Sequence, residues 1–244
     1  VRLYLLALRS KVSPSTQHQA FRVLRTFFRW LVVEGLLDES PMARLKPPRL
    51  PDNPLDPVPL PEVKAMLDTC KRRRQLDHRD AALLLALLDT AARASEMLGC
   101  DVNDADLRSG ALVLRQTKGG KQRVTFLGSR ARRALLRYLR DRGDLAGDAP
   151  LFATRDGKRL SYWGLRQMLR RRAEKAGVPV PGAHAFRRAA CLAMLRNGAD
   201  VFAVQALAGH ADLATTRRYL KLAHDDLAEA HRRHSPVDNL MGRG

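Results

Sequence analysis

The chain has 244 residues, 45% of them hydrophobic, which is enough for a substantial core and too much for wholesale disorder. Lys and Arg number 44 against 25 Asp and Glu, a formal net charge of +19, and a globular chain this basic is matched to a polyanion whose counterions it can displace. The three scattered cysteines form neither a disulfide framework nor a zinc-ligand spacing and so point to a reducing compartment, and the longest wholly apolar run, AALLLALL at 81–88, is far too short to cross a bilayer.

The opening VRLYLLALRS reads as the end of a helix, so the natural protein is expected to begin before Val1. After Ser13-Pro14-Ser15, apolar residues recur at Ala20, Leu24, Phe27 and Leu31, with Phe21 and Phe28 beside them. That spacing is helical, and Gly35 stands where a helix C-cap belongs. Residues 1–48 are therefore predicted to form a small all-helical domain. The stretch LKPPRLPDNPLDPVPLP then packs seven prolines into residues 45–61. Proline removes backbone donors and restrains the residue before it, which predicts an extended linker over 49–60.

The remaining 61–244 is predicted to hold helices near 61–74, 79–91, 129–141, 161–176, 183–197, 200–208 and 212–222. Between the second and third of these, ALVLRQTKGGKQRVTFL alternates around Gly119-Gly120, the pattern of two strands joined by a tight turn. Near the C-terminus, HDDLAEAHRRHSPVDNL reads as one more short amphipathic helix and a tail. The expected fold class is mainly α with a small antiparallel β-sheet, in two domains.

Five polar features carry residue types suited to a phosphodiester. Arg93 follows an apolar helix, with Glu96 three residues on. The hairpin turn TKGGK offers Lys118 and Lys121. In AHAFRRA, His184 and Arg187 share one helix face. Gly209-His210 closes the helix VFAVQALAG, and nine residues later comes Tyr219. Taken singly, each has an ordinary structural explanation: a surface ion pair, a solubilising turn, a helix cap, a packed tyrosine.

In combination they are more specific. The order Arg, Lys, His-x-x-Arg, Gly-His, Tyr resembles the catalytic set of the tyrosine recombinases, which include the phage integrases and the Xer-type site-specific recombinases. The run GHADLATTRRYL is similar to the family pattern of Gly-His, spacer, Thr-Thr, spacer, Tyr. The resemblance spans nearly the whole chain, and it implies a helical core-binding domain over 1–48 and an α+β catalytic domain over 61–244. Carried over position by position, it makes Tyr219 the nucleophile and Arg93 and Arg187 the arginine pair. His184 and His210 become the two active-site histidines, Lys118 (ahead of Lys121) the hairpin lysine, and Glu96 the acid that supports Arg93. The chain departs from the family at Thr90-Ala91-Ala92, where Thr-Gly is usual, at Arg188, where a histidine is common, and in the altered run AACLAML.

These residue types suit displacement at phosphorus. Two planar guanidiniums can hold the non-bridging oxygens bidentately, and a histidine can assist deprotonation of a phenol whose ordinary pKa is about 10. The resemblance assigns that task to His184, leaving-group protonation to Lys118 and phosphate positioning to His210. It implies no metal and no other cofactor. It implies double-stranded DNA bearing paired inverted-repeat core sites as partner, a synaptic homo- or hetero-tetramer, no membrane, and a cytoplasmic, nucleoid-associated location. The C-terminal segment either docks into a neighbouring protomer or folds back on its own domain. A DNA-binding protein without catalysis, and a type IB topoisomerase-like relaxing enzyme, are rival readings of the same residues.

Overall fold

The protein is described here by a computed structural model, which covers residues 1–49, 56–71, 74–115 and 122–209. The chain divides into two compact units, Val1–Pro54 and Leu55–Gly244. The expected helix at 212–222, the Gly119-Gly120 turn and the C-terminal tail lie outside the described residues.

In the first unit, α1 (Arg2–Arg9) and α2 (Pro14–Val33) pack on each other. Ser13 caps α2 by accepting from the Thr16 backbone N–H at 3.3 Å, and Pro14, which has no N–H to orphan, opens it. At its other end Gly35 takes φ 70°, and the N–H groups of Gly35 and Leu36 return to the carbonyls of Val32 and Leu31. That pair of bonds satisfies carbonyls the helix would otherwise leave open. The small core comprises Leu5, Phe21 and Met42, with Leu8, Leu24, Phe28 and Leu45 packed against it. Phe27, which shares the helical period in the sequence, instead stays exposed with Val23 and Trp30.

The second unit contains α3 (Leu60–Asp68), α4 (Gln75–Thr90), α5 (Ala94–Gly99), a 3-10 turn (Val102–Asp104), β1 (Ala111–Leu114), β2 (Arg123–Phe126), α6 (Ser129–Arg142), α7 (Tyr162–Ala176), α8 (Ala183–Arg196) and α9 (Val201–Ala208). The central helix is α4, which packs against α6 and α8, while α3 packs on α7 and α9 on α8. β1 and β2 pair antiparallel, with Ala111 opposite Phe126 and Leu114 opposite Arg123. Leu112, Leu114 and Thr125 point inward, whereas Val124 and Phe126 face out.

Two expected boundaries move. The first helix ends at Asp68, short of residue 74, and α4 begins at Gln75, four residues before the expected start. The polar beginning of α4 looks like surface in the sequence, yet Asp77, Arg79 and Asp80 are buried. Asp80 receives Arg79 at 2.7 and 3.0 Å, Arg172 Nε at 2.8 Å and Arg171 at 3.3 Å. Arg172 also donates to Asp77 at 2.6 Å and to the Thr69 carbonyl at 3.0 Å. Such pairing makes buried charge tolerable, and here it fastens the end of α3, the start of α4 and the middle of α7 together.

The end of the proline-rich segment is pinned to α8. Val58 is buried and its N–H donates to the Ala185 carbonyl at 3.2 Å. Arg188 holds the Asp56 carbonyl through Nε and Nη2 at 3.1 and 3.0 Å, which gives the residue at that departure from the family pattern a structural partner. Cys70, Cys100 and Cys191 are free and buried. Burial pushes the Cys70 thiol up to about 11 and the Cys100 thiol up to about 12. Among the described residues no helix is long and apolar enough to cross a membrane.

Candidate functional site

The site is assembled at the C-terminal end of α4. Thr90 closes that helix with its hydroxyl on the Ala86 carbonyl at 2.6 Å, and Ala91 then turns the chain by adopting φ 50°, ψ 20°. This left-handed turn is where the family usually has glycine, the residue that reaches positive φ without strain. Its carbonyl accepts from Arg187 Nη1 at 2.8 Å, so the turn delivers Arg93 beside the arginine carried by α8.

Arg93 is the N-cap of the six-residue α5, an element too short for periodicity to reveal. Arginine has no acceptor, so the cap works in one direction: the Glu96 carboxylate receives the Arg93 backbone N–H at 2.8 Å. The same carboxylate accepts Arg93 Nη1 at 2.6 Å and Arg123 Nη2 at 2.7 Å, with the Glu96 side chain 1% exposed. Burial raises the Glu96 pKa, but hydrogen bonds from the Arg93 N–H, the Arg123 guanidinium and the Arg93 guanidinium outweigh it and hold the carboxyl below its ordinary value.

The two guanidiniums that share Glu96 also reach the end of α9. Arg93 Nη2 donates to the Gly209 carbonyl at 3.2 Å, and Arg123 Nη1 donates to the Leu207 carbonyl. A helix C-terminus presents unpaired carbonyls and partial negative charge, so cations settle there. Gly209 takes φ 66°, and a Cβ at that position would lie 2.8 Å from Arg123 Cδ and Nε. Both conformation and space therefore require glycine before His210.

Arg187 is 1% exposed and, among the described residues, has no salt bridge and an Nε–H without an acceptor. Burial, then the positive charge of Arg93, pushes its pKa down to about 10, which still leaves it charged at neutral pH. His184, on the same face one turn earlier, is exposed overall. Partial loss of water around its ring, then the charges of Arg187, Arg188 and Arg93, hold its imidazole below the ordinary 6.5. The structure thus brings Arg93, Glu96, His184 and Arg187 together, whereas Lys118, Lys121, His210 and Tyr219 lie outside the described residues. Sequence reasoning missed Arg123. The signal was faint: in RVTF the polar phase, Arg123 and Thr125, turns inward while the apolar phase faces out.

Two guanidiniums on one buried carboxylate, a third (Arg187) buried with its Nε–H unpaired, and an imidazole held below its ordinary pKa make a cluster suited to receive an anion on a mainly helical domain. The phage integrase family model matches residues 59–225. The chain is 31% identical to the tyrosine recombinase XerC of Pelobacter propionicus, over 97% of this chain and 78% of that protein. A crystal structure of XerA recombinase superposes with a TM-score of 0.62 at 26% identity, covering 96% of this chain and 82% of that one. XerH recombinase, solved on a palindromic difH substrate as a post-cleavage complex, shares the fold with a TM-score of 0.75 at 21% identity, over 93% of this chain and 69% of its own.

The chain belongs to the phage integrase family of tyrosine recombinases. It is a site-specific DNA recombinase, an enzyme that cleaves and rejoins DNA strands through a covalent tyrosine–DNA intermediate.

Proposed function

We propose that Tyr219 is the nucleophile, and that Arg93, Arg187, His184, His210 and Lys118 serve it. The observation that carries this reading is the imbalance of charge at the site. Arg93 and Arg123 share the single carboxylate of Glu96, while Arg187 is buried without an acid partner among the described residues and with its Nε–H left over. Such an excess of positive charge suits a phosphodiester, whose non-bridging oxygens gain charge as phosphorus is attacked.

In the reaction the Tyr219 phenolic oxygen bonds to phosphorus as the bond from phosphorus to the 5′ oxygen breaks. His184, held neutral near pH 7 by its surroundings, takes the phenolic proton. Lys118 gives a proton to the departing 5′ oxygen, His210 hydrogen-bonds the phosphate, and Arg93 and Arg187 hold its non-bridging oxygens. The 3′-phosphotyrosyl link conserves the broken bond's energy, so a 5′ hydroxyl from a second strand can reverse the step and rejoin the DNA.

The substrate is double-stranded DNA with paired inverted-repeat core sites, acted on by a synaptic tetramer in the cytoplasm at the nucleoid. The palindromic difH duplex bound by XerH supports that form of substrate, and the net charge of +19 supports extensive phosphate contact. Residues 1–48 act as the core-binding domain, 49–60 as linker and 61–244 as the catalytic domain. The decisive experiment uses a nicked suicide duplex carrying the recognised site. The wild-type chain should leave a denaturation-resistant protein–DNA adduct and Tyr219→Phe none; an equal yield from Tyr219→Phe would remove Tyr219 from this role.

A further inference from the structure

We infer that Arg123 is a positioning residue for the strand-cleavage reaction, the clamp that fixes the end of α9 and thereby where the chain enters His210. The inference rests on the roles proposed above for Tyr219 and His210.

Three segments distant in sequence meet at this one guanidinium. Arg123 belongs to β2, five residues after Lys118. Its Nη2 donates to Glu96 Oε2 at 2.7 Å, and its Nη1 donates to the Leu207 carbonyl, 84 residues further along the chain. Its side chain is 12% exposed, so the contacts are made largely out of water, where charge-assisted hydrogen bonds are strong. Arg93 makes a parallel connection from Glu96 to the Gly209 carbonyl at 3.2 Å. The two arginines are not equivalent. Arg93 has a side chain 30% exposed, open enough to reach a phosphate, whereas Arg123 is 12% exposed and fills the space that a Cβ on Gly209 would need.

This arrangement divides the work. If Arg93 turns its Nη2 to a phosphate, its grip on Gly209 is given up. The Arg123 contact to Leu207 is then the remaining described side-chain bond that holds the end of α9 to Glu96. α9 is only eight residues long and cannot rely on its own stability for placement. The residue that follows Gly209 is His210, so a shift in this turn is passed directly to the next side chain. Misplacement of a reacting group by about 1 Å can cost on the order of 100-fold in rate.

The test measures single-turnover adduct formation at saturating protein on the suicide duplex, together with site affinity and unfolding by denaturant. Arg123→Ala should slow adduct formation by about 30-fold or more, by the misplacement argument, with site affinity changed by less than about threefold, since Arg123 faces the protein rather than DNA. Arg123→Lys keeps one charged donor and should fall between Ala and wild type with near-native unfolding; it serves also if Arg123→Ala fails to fold. The discriminating measurement is the same pair of substitutions in a His210→Ala background. If Arg123 acts by placing His210, its replacement there should cost less than about threefold, the two losses failing to multiply as they do for independent sites. Losses that multiply in full, or adduct formation at the wild-type rate in Arg123→Ala and Arg123→Lys, would overturn the inference. Absence of any adduct from the wild-type chain on its site would instead overturn the assignment of Tyr219.

Discussion

Arg187 donates from Nη1 to the Ala91 carbonyl at 2.8 Å, and Ala91 itself sits at φ 50°, ψ 20°. Among the described residues it is the single non-glycine position with positive φ. A left-handed L-residue costs about 1–2 kcal/mol, while glycine gives back about 0.4–1 kcal/mol through its freer unfolded chain. Deleting the Ala91 methyl, buried in a core cluster, costs about 0.8 kcal/mol, so Ala91→Gly should leave the unfolding midpoint nearly unchanged, and Ala91→Val should lower it, because a branched side chain is strained there and the site is 1% exposed. Denaturant unfolding of the two variants beside wild type checks both outcomes.

Glu96→Gln keeps the shape of the side chain and removes its charge. Arg93 and Arg123 would then face each other as like charges across a neutral amide. Loss of charge-assisted hydrogen bonds, each about 1.5–3 kcal/mol, should slow adduct formation by about 10- to 100-fold at 1.36 kcal/mol per decade. Single-turnover cleavage on the suicide duplex measures it.

The pH profile tests His184. Its pKa is lowered from 6.5 in the folded protein, so the neutral, proton-accepting form predominates at pH 7 and is lost only as the pH falls through the lowered value. The acid limb of cleavage, measured at subsaturating protein where the free enzyme's pKa is reported, should lie below pH 6.5. His184→Gln should remove that limb along with most of the rate. A limb centred above 6.5 would exclude His184 as its source.

Asp80 is fully buried and accepts from Arg79, Arg171 and Arg172. Asp80→Ala leaves those guanidiniums without their common acid, a change of the kind that costs about 3–5 kcal/mol. The unfolding midpoint should fall accordingly. Adduct formation per folded molecule should be unchanged, because Asp80 lies ten residues from the site end of α4.

Much of the fold could be read from the chain because its cues are local. Pro14 after Ser13, Gly35 at positive φ and the alternation on either side of Gly119-Gly120 each act within a few residues. The candidate arginines and His184 were legible as a family pattern, and Glu96 with them. What could not be read depends on long-range pairing. The start of α4 is masked by Asp77, Arg79 and Asp80, whose burial is intelligible only once Arg172 from α7 is beside them. α5 is held by a cap rather than by periodicity. Arg123 gains its meaning from Leu207, which nothing local to β2 announces.

The burial of Arg187 also bears on how the molecule can evolve. Its folded-state pKa of about 10 lies below the 12.5 of a free guanidinium, so at neutral pH the charged form is disfavoured by folding. The arginine proposed to hold the phosphate is thus a point of local frustration, working against the native state that carries it. On the role proposed for it, Arg187→Met should abolish adduct formation, and denaturant unfolding would show whether relief of the buried charge outweighs the lost bond to the Ala91 carbonyl. Lineages that lose recombination should therefore drift quickly at this position, while Asp80, whose buried pairs tie α4 to α7, persists.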